Sequence, residues 1–372
     1  MKLKLREITE GETRLLVPET GELTKKSPVF FNPEMELSRD ISVAIVKITE
    51  PETFCDLLSG SGARGIRIAN ETTAKVLAND INPMAYDLIK RNKELNSLDL
   101  EVTNLEGNLL LAGKRFDFID IDPFGSPVHF IDSALRSVNK KGILAVTATD
   151  TAALCGTYPR ACLRKYDALS LRTDYYNELG LRILMGYITR SAMRYEKGIK
   201  PLFSHCTRHY FRTYLQVLGG RSHAIKSLRN IAFIQHCFSC LEREFVTLDK
   251  LKSDCQCGAD LHTAGPLWIG KFADSEFCRK LKGEIGQEYF GKSKEAVKLI
   301  DKIRLEQEVT KPYYNIHKVS KKMKTPSKPT NEIIEALQKR GFNAVRTHFS
   351  DLGLRTDADI SEISDIISYD IK

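Results

Sequence analysis

One stretch of this sequence constrains the fold more than any other: an apolar segment that runs into a glycine-rich turn and then into a helical pattern. It covers residues 54–67 and spaces Gly60, Gly62 and Gly65 as G-x-G-x-x-G. Glycines permit a tight turn and let a ligand approach the backbone without a Cβ in the way. Because a strand pattern precedes this turn and a helix pattern follows it, the stretch predicts a strand-turn-helix unit that binds a nucleotide-type cofactor.

Acidic residues follow the next three predicted strands. Asp80 follows the second strand, 20 residues after Gly60, Glu106 and Gly107 follow the third, and Asp122 follows the fourth. In an open α/β sheet the carboxyl ends of parallel strands share one rim, and ligands bind there. We therefore expect these residues and the glycine-rich turn to converge on one site.

The fourth strand has an unusual end. Residues 116–121 are apolar enough for a buried strand, and Asp122-Pro123-Phe124-Gly125 follows them. Proline removes a backbone donor and stops the strand, so the acid projects beyond the sheet edge and the aromatic ring can stack on something flat. A turn capped by Asp122 is the plain alternative. The shared rim favours a pocket for a planar ring that bears an amino group.

Two classes of cofactor fit the rim. An acid at the position of Asp80 accepts hydrogen bonds from ribose hydroxyls, which both NAD and S-adenosylmethionine carry. A hydride-transfer enzyme also needs a proton-relay pair such as Tyr-x-x-x-Lys, and none occurs in the expected interval. Asp122 and Phe124 instead offer an acceptor for an exocyclic N–H and a ring to hold a base. Methyl transfer to an amine is therefore the favoured reaction.

Positive charge is concentrated in one part of the chain. The net charge is +8, but residues 151–230 hold 14 Lys or Arg and 4 Asp or Glu, an excess of +10, so the remainder sums to −2. This segment carries Tyr158, Tyr166, Tyr175 and Tyr176, and arginines interleaved with tyrosines suit phosphate contacts and base stacking. Residues 311–329 add six lysines and no acid. The pattern favours a polyanionic partner over solvated helix faces alone.

The cysteines indicate a reducing compartment and a metal. Nine cysteines at irregular spacing argue against a disulfide framework, and the amino-terminal residues carry no secretory signal, so we expect a cytoplasmic protein without a membrane span. Cys237 and Cys240 form a C-x2-C pair, and 14 residues separate it from a second pair, Cys255 and Cys257. Four thiolates at this spacing predict a structural zinc knuckle, although the second pair is the tighter C-x-C.

Several motifs together resemble those of the tRNA (guanine(26)-N2)-dimethyltransferases, the Trm1 family, in their compact archaeal form. The resemblance spans nearly the whole length. It is carried by Val-Phe-Phe-Asn-Pro-Glu-Met at 29–35 with Ser-Arg-Asp at 38–40, the stretch at 56–67, Asn-Asp-Ile-Asn at 79–82, Asp-Ile-Asp-Pro-Phe-Gly-Ser-Pro at 120–127, Thr-Ala-Thr-Asp at 147–150, the cysteine cluster, and Gly-Pro-Leu-Trp-Ile-Gly at 265–270.

The resemblance implies roles for individual residues. The cofactor contacts of the family, to S-adenosylmethionine, fall on Arg39, Arg64, Asp80, Glu106 and Gly107. The guanine contacts fall on Asp122 and Phe124. The family usually has Asp-Ala in place of Glu106-Gly107, a change that keeps the charge. The resemblance also implies two methyl transfers to guanine 26 of tRNA.

The predicted architecture is a seven-stranded α/β class I (Rossmann-like) methyltransferase domain at 1–222, with a basic helical insertion near 151–200. A zinc-binding and helical region at 223–372, with its knuckle near 237–257, would help dock tRNA. No obligate protein partner is predicted. Residues 330–340 predict an amphipathic helix, which the segment at 344–349 extends to a helix–turn–helix-like unit. Two other functions remain open: methylation of an exocyclic amine in another RNA or in DNA, and a non-catalytic RNA-binding module with a retained cofactor fold.

Overall fold

The structure, a computed structural model, describes residues 3–19, 28–287 and 289–368. Its strands are β1 (Leu5–Glu10), β2 (Thr13–Pro18), β3 (Thr53–Asp56), β4 (Lys75–Asn79), β5 (Glu101–Thr103), β6 (Phe116–Ile121), β7 (Val138–Ala148), β8 (Lys197–Thr207), β9 (Tyr210–Gly219), β10 (Ile231–His236), β11 (Arg243–Val246), β12 (His262–Trp268), β13 (Tyr314–Asn315), β14 (Ala344–Arg346) and β15 (Gly353–Thr356).

Its helices are α1 (Glu36–Thr49), α2 (Ala63–Glu71), α3 (Pro83–Leu95), α4 (Gly107–Gly113), α5 (Val128–Ser137), α6 (Thr151–Leu154), α7 (Pro159–Tyr166), α8 (Tyr176–Met193), α9 (Arg221–Leu228), α10 (Ser275–Ile285), α11 (Ser293–Glu306), α12 (Ile316–Met323), α13 (Thr330–Lys339) and α14 (Ile360–Ser368). Among the described residues no helix is both long and apolar enough to cross a membrane.

A seven-stranded sheet forms the centre of the molecule, in the order β5-β4-β3-β6-β7-β9-β8. The first five of these strands run parallel, and β9 pairs antiparallel with both β7 and β8. From β3 the chain adds β4 and then β5 on one side of the sheet, and from β6 it adds β7 on the other side. This places a topological switch point between β3 and β6, where the carboxyl ends leave a crevice. The sequence-based prediction of a seven-stranded α/β domain is confirmed.

Side-chain alternation along β6 builds two cores. Phe118 packs on one face with residues of α1 and α2, while Ile119 and Ile121 pack on the other with residues of α5 and α8. Asp120, two residues after Phe118, points to the face of α1 and α2 because strand residues alternate with a period of two. Asp122 continues that row beyond the end of the strand, so the fold aims this acid toward the glycine-rich turn.

The region after residue 222 is divided between two environments. Helices α10 and α11 bury Cys278, Leu281 and Ile300 in the same core as Ile41 and Ile45 of α1. They therefore belong to the helical layer of the central sheet. The division into domains near residue 222 stays a prediction, and in the structure it coincides with a change of sheet rather than with a break in packing.

The carboxyl-terminal residues form a small α/β unit of their own. The amphipathic helix predicted at 330–340 is present as α13, which buries Ile333 and Leu337. The helix–turn–helix-like expectation is wrong, because 344–346 is strand β14, paired antiparallel with β15. Ala344 and Leu354 join a core with Ile333 and Leu337. The strand forms because its partner lies ten residues further along the chain, a pairing that local helical periodicity does not reveal.

A buried polar network attaches this unit to the central domain. Glu306 accepts hydrogen bonds from Arg355 (Nε to Oε2, 3.1 Å) and from Thr347 (2.6 Å). The backbone N–H of Cys206, in β8, donates to Nε2 of His348 (3.2 Å). Nδ1 of His348 therefore carries the proton and donates to Glu306 at 2.7 Å. Burial alone would raise the pKa of Glu306, but its contacts with His348, Arg355 and Thr347 lower it to about 2.

We expect Glu306→Gln to lower the free energy of unfolding by about 3 kcal/mol or more, since it leaves the fully buried Arg355 with fewer acceptors. Because the folded pKa is depressed, the stabilisation is complete above pH 4.5 and is lost as pH falls toward 2. Urea unfolding of the wild type and of Glu306→Gln across that range measures the difference. Glu335→Gln, at an exposed position in α13, is the control and should change stability by less than about 0.5 kcal/mol. Equal stability of the two variants would contradict the assignment.

Candidate active site

The glycine-rich turn is tightened by contacts on both sides. Gly60 and Gly62 have φ of 56° and 81°, in the left-handed region that favours glycine. The carbonyl oxygen of Phe30 accepts a hydrogen bond from Ser61 N at 3.1 Å, and a Cβ on Gly60 would lie 2.9 Å from that oxygen. The segment that contains Phe30 therefore lies directly over the turn.

Asp80 is positioned by the same turn. Its Oδ2 accepts a hydrogen bond from Gly60 N at 2.8 Å, and its Oδ1 accepts one from Asn82 N at 2.9 Å. Burial raises the pKa of Asp80, although the two backbone N–H groups oppose this. The side chain is half-buried, so its carboxylate retains an outward-facing side at the tip of β4. This is the place at which an acid can receive ribose hydroxyls.

Glu106 and Gly107 lie at the beginning of α4. Glu106 is exposed and caps the helix, since its Oε2 accepts a hydrogen bond from Leu109 N at 3.0 Å. Gly107 is buried, and a Cβ there would lie 3.1 Å from the ring of Phe130 and 3.3 Å from Leu57. The ring of Phe130 thus takes the space that an alanine methyl would need. The sequence did not reveal the capping role of Glu106.

Asp122 forms an ion pair with Arg64. Nη2 of Arg64 lies 2.5 Å from Oδ2 of Asp122, and Nη1 donates to Ser42 Oγ at 2.5 Å and to the carbonyl of Ser38 at 3.3 Å. The arginine side chain is 7% exposed and that of the aspartate 22%, so only the acid remains accessible. The two residues, 58 positions apart in sequence, meet because β6 ends beside the first turn of α2.

A second ion pair supports the first. Asp120 and Arg212 are both fully buried and hydrogen-bonded to each other, and Nη1 of Arg212 also donates to Thr147 Oγ1 at 2.8 Å. Burial alone would raise the pKa of Asp122. The positive charges of Arg64 and Arg212 and a hydrogen bond from Thr147 outweigh burial and lower it. The acid at the rim is therefore held in its ionised form.

Two aromatic rings stand at the mouth of the site. Phe124 is 53% exposed and Phe30 is 39% exposed. Their centroids lie 5.6 Å apart with the ring planes at 90°. Gly125 has φ of 110°, and its N–H donates to Thr149 Oγ1 at 2.8 Å while its carbonyl accepts from Thr149 N at 3.0 Å. The turn that carries Phe124 is thus fixed to the end of β7, and the ring is presented to solvent.

Arg39 is buried behind these rings. Its Nε and Nη2 each donate to a carboxylate oxygen of Glu10 at 2.6 Å, and Nη1 donates to the carbonyl of Asn32 at 3.1 Å. Its guanidinium lies 5.0 Å from the centroid of Phe31. Arg39 therefore secures the segment of Phe30 and Phe31 against the glycine-rich turn. Its predicted contact with a cofactor stays a prediction.

Sequence reasoning missed several residues that complete the site. Glu10, Asp120 and Arg212 hold the predicted residues in place, but they lie on distant strands and belong to no local motif. Tyr210 is another: it is buried, and its hydroxyl has no hydrogen-bond partner among the described residues. Burial raises the pKa of Tyr210, and the neighbouring Tyr214 and Asp122 raise it further. The antiparallel pairing of β9 with β7 brings Tyr210 and Arg212 to the rim.

One well-formed cavity lies away from this rim. It has a volume of about 530 Å³ and lies among Thr53, Lys75, Glu101 and Phe116. These residues begin β3, β4, β5 and β6, so the cavity is at the opposite end of the sheet. The chemistry at the rim, with its glycine-rich turn, ionised acid and exposed ring, locates the candidate site better than cavity size does.

The four cysteines of the C-x2-C and C-x-C pairs come together at the end of β10. All four sulfur atoms lie within 4.8 Å of one another, with Cys237 and Cys257 at 3.6 Å and Cys240 and Cys255 at 3.5 Å. A tetrahedral zinc ion with Zn–S bonds of about 2.3 Å places its sulfur ligands about 3.8 Å apart. The donor set therefore fits zinc. All nine cysteines are free thiols.

The basic segment at 151–230 is only partly a surface feature. Arg182 is buried against Glu178 and the carbonyls of Trp268 and Thr310, and Arg190 donates to the carbonyl of Pro266. Together with Arg212, these arginines stabilise the fold. Tyr166 and Tyr175 are also fully buried, so the expectation that they stack on bases is wrong. Tyr158, Arg160 and Arg164 remain exposed.

The seven-stranded sheet, its switch point and the acids on one rim define the fold of the class I S-adenosylmethionine-dependent methyltransferases. Residues 11–368 match the family described as N2,N2-dimethylguanosine tRNA methyltransferase. The chain is 40% identical to the tRNA (guanine(26)-N(2))-dimethyltransferase of Methanothermobacter thermautotrophicus, over 97% of this chain and 98% of that protein. It is 39% identical to the enzyme of the same description from Methanosphaera stadtmanae, over 98% and 97% of the two chains.

A solved structure agrees along the whole length. Trm1 from Pyrococcus horikoshii, in complex with S-adenosyl-L-methionine, superposes with a TM-score of 0.89 and 37% sequence identity, covering 98% of this chain and 100% of the other. The chain belongs to the N2,N2-dimethylguanosine tRNA methyltransferase family.

Proposed function

We propose that this chain transfers two methyl groups in succession from S-adenosylmethionine to the exocyclic N2 of guanine 26 in tRNA. Membership of the family supports the reaction and the substrate. One observation carries the proposal to particular atoms: an acid kept ionised by Arg64 lies beside the exposed ring of Phe124 on the rim of the sheet. An acceptor next to an aromatic face suits a base that bears an amino group.

Asp122 is the residue that would hold the reacting nitrogen. The exocyclic nitrogen of guanine is a poor nucleophile because its lone pair is delocalised into the ring. In this proposal the carboxylate and the adjacent backbone carbonyl accept its N–H groups, orient it and draw off positive charge as the N–C bond forms. S-adenosylmethionine, when bound, would supply the methyl group from its sulfonium centre, so the methyl C–S bond would break as the N–C bond forms and S-adenosylhomocysteine would be the leaving group. The proton then leaves the methylated nitrogen for Asp122 or for water.

Phe124 would hold the base itself. The target guanine must leave the stacked interior of the tRNA, which costs a few kcal/mol. Stacking on an aromatic face contributes about 1–3 kcal/mol per base and so offsets much of this. Phe30 stands edge-on to Phe124, and its carbonyl is fixed to the glycine-rich turn. A base that stacks on Phe124 would therefore lie close to the turn at which a cofactor is expected.

The cofactor would lie across the rim. Asp80 would accept the ribose hydroxyls, and Glu106 and Gly107 would lie at the adenine, where the exposed carboxylate can receive an amino group. Arg64 is almost fully engaged with Asp122, Ser38 and Ser42. Arg64 would therefore contribute to the cofactor site partly by positioning Asp122, which would lie between the cofactor and the guanine.

We expect Gly60→Ala to weaken S-adenosylmethionine binding by about tenfold or more. A Cβ there would lie 2.9 Å from the Phe30 carbonyl oxygen, and φ of 56° is strained for alanine, so the turn at which the cofactor is expected must change its conformation. Isothermal titration calorimetry measures the affinity. Gly113→Ala, which meets nothing within 4 Å, is the matched control and should leave affinity within about twofold. Unchanged binding by Gly60→Ala would exclude this turn from the cofactor site.

Beyond the central sheet, Cys237, Cys240, Cys255 and Cys257 would hold a structural zinc ion, since four thiolates close the coordination shell. We propose that the part of the chain after residue 222 helps to dock tRNA through the zinc knuckle and the lysines of 311–329. The free thiols suit a reducing compartment, and we propose that the protein acts in the cytoplasm.

The experiment that tests the function is methyl transfer to unmodified tRNA, followed by nucleoside mass spectrometry. We expect N2-methylguanosine to appear first and N2,N2-dimethylguanosine to replace it. Ribosomal RNA and DNA fragments serve as parallel substrates and should remain unmodified. Absence of both methylated guanosines from tRNA, with cofactor binding confirmed by calorimetry, would contradict the proposal.

A further inference from the structure

Helix α7 presents an unusual surface close to the mouth of the site. Arg160, Leu163 and Arg164 are spaced i, i+3 and i+4, so they share one face of the helix, and all three are exposed. Tyr158 precedes the helix and is 63% exposed, while Leu163 is 50% exposed. The opposite face carries the buried Cys162. The outer face therefore combines two cations with two large apolar side chains.

The two arginines on this face differ from the others of the basic segment. Arg182, Arg190 and Arg212 bond to carboxylates or carbonyls inside the fold. The side chains of Arg160 and Arg164 make no ion pair or hydrogen bond within the part of the chain that the structure describes. Nothing in the packing of α7 requires their charge, which is therefore available to a polyanion.

Helix α7 is attached to the turn that carries Phe124. Ser126 Oγ donates to the hydroxyl of Tyr166, at the end of α7, at 3.0 Å, and this hydroxyl donates to Asp150 at 2.6 Å. Lys165 Nζ also bonds to Asp150 at 2.9 Å. Ser126 lies two residues after Phe124, so one short network links the helix to the ring that would stack the target base.

We propose that the outer face of α7 binds the tRNA strand on either side of the extruded nucleotide, with Tyr158 stacked in the space that the target base leaves. This inference rests on the proposed function and adds the contacts by which the tRNA is opened. Arg160 and Arg164 contact the flanking phosphates, and Leu163 lies against the sugars between them. An exposed acid, Asp167, follows the end of the helix. Its single negative charge does not cancel those of the two arginines, so the face keeps a net positive charge.

An aromatic ring is suited to this role because removing a base from a stack leaves two base faces exposed to water. A tyrosine that enters the gap restores stacking on both sides, and each stacked face is worth about 1–3 kcal/mol. The cationic pair acts differently: it displaces counterions from phosphates, so its contribution falls as salt rises. The two effects can be separated by experiment.

The chain provides a matched control in α9. This helix has the same length as α7 and also exposes two large apolar side chains and basic residues, Ile225, Leu228, Lys226 and Arg229. Ser227 of α9 accepts a hydrogen bond from Ile199, near the beginning of β8. Since β8 reaches the rim only at its far end, through the pairing of Thr207 with Tyr210, α9 lies at the opposite end of the sheet.

The charge test compares R160Q/R164Q with K226Q/R229Q in steady-state kinetics on unmodified tRNA. For the α7 pair we expect kcat/KM to fall by about tenfold or more and the slope of log(kcat/KM) against log[salt] to become about 1–2 units shallower. The α9 pair should change neither. S-adenosylmethionine affinity should stay within twofold for both. Equal effects of the two pairs would overturn the proposal.

The stacking test uses Tyr158→Ala and Tyr158→Phe. We expect kcat/KM to fall by about tenfold or more for alanine and to recover in phenylalanine. An abasic site opposite the target guanine lowers the cost of extrusion and should restore most of the loss in Tyr158→Ala. Failure of both rescues would exclude a stacking role. If the wild type itself leaves tRNA unmethylated, the proposed function fails, whereas a normal wild type with unaffected α7 variants refutes only this inference.

Discussion

Asp122→Asn should lower kcat for methyl transfer by about 1000-fold while leaving S-adenosylmethionine affinity within a few fold. The substitution keeps the shape of the side chain but replaces an anion with an amide. The amide cannot draw off the positive charge that develops on the amine, and such preorganised groups are worth about 10²–10³ in kcat. Single-turnover methylation of tRNA measures the chemical step, and calorimetry measures the cofactor.

Asp117→Asn is the matched control because Asp117 lies on the same strand, β6, at its opposite end. Its carboxylate accepts hydrogen bonds from Thr53 and Asn139 and faces neither the rim nor Arg64. We expect its kcat to stay within about threefold of the wild type. A wild-type kcat for Asp122→Asn would remove this acid from the mechanism, and a loss of cofactor affinity as large as the loss of kcat would assign it to the cofactor site instead.

Cys240→Ser should abolish binding of the proposed zinc ion and the ordered fold of the knuckle. Structural zinc sites contribute about 10–16 kcal/mol of apparent binding free energy at neutral pH. A four-cysteine site that loses one thiolate cannot keep a closed shell. We expect metal analysis to fall from one zinc per chain to almost none, and affinity for tRNA to fall with it. Affinity for S-adenosylmethionine should persist, since the rim lies on another sheet.

The control for this experiment is Cys278→Ala, at a buried cysteine of α10 outside the cluster. It should keep a full complement of zinc. If the wild-type protein is produced in zinc-containing medium and metal analysis finds no bound zinc, the assignment of the metal is contradicted. Zinc retained by Cys240→Ser would contradict the assignment of that ligand.

Local patterns in the sequence were sufficient to predict the glycine-rich turn, the acids on the rim and the position of Phe124. The glycine spacing predicted the turn between β3 and α2, and the acid after each strand predicted which side chains would lie on the rim. Phe124 follows a strand that ends at a proline, so its place beyond the sheet was also legible. These features depend on a few neighbouring residues, and the rule that parallel strands share one rim assembles them.

The contacts that hold the site together could not be read in this way. Arg212 bonds to Asp120 across 92 positions, and Glu10 fixes Arg39 across 29. The first pair forms because β6 and β9 both flank β7, and the second because β1 lies beside α1; no local pattern specifies either arrangement. The same limit explains the segment at 344–346: its partner strand β15 decides its conformation. The sequence likewise showed an excess of arginine but did not show which arginines are buried in the fold and which are exposed on α7.

The central claim is that the exocyclic amine of one guanine is the atom that the site receives. Replacing the target guanine of the tRNA by inosine removes this amine and leaves the rest of the base unchanged. Nucleoside mass spectrometry of the treated RNA should show N2-methylguanosine and N2,N2-dimethylguanosine from the guanine-containing tRNA. It should show no methyl transfer to the inosine-containing tRNA. Equal methylation of the two tRNAs would contradict the account.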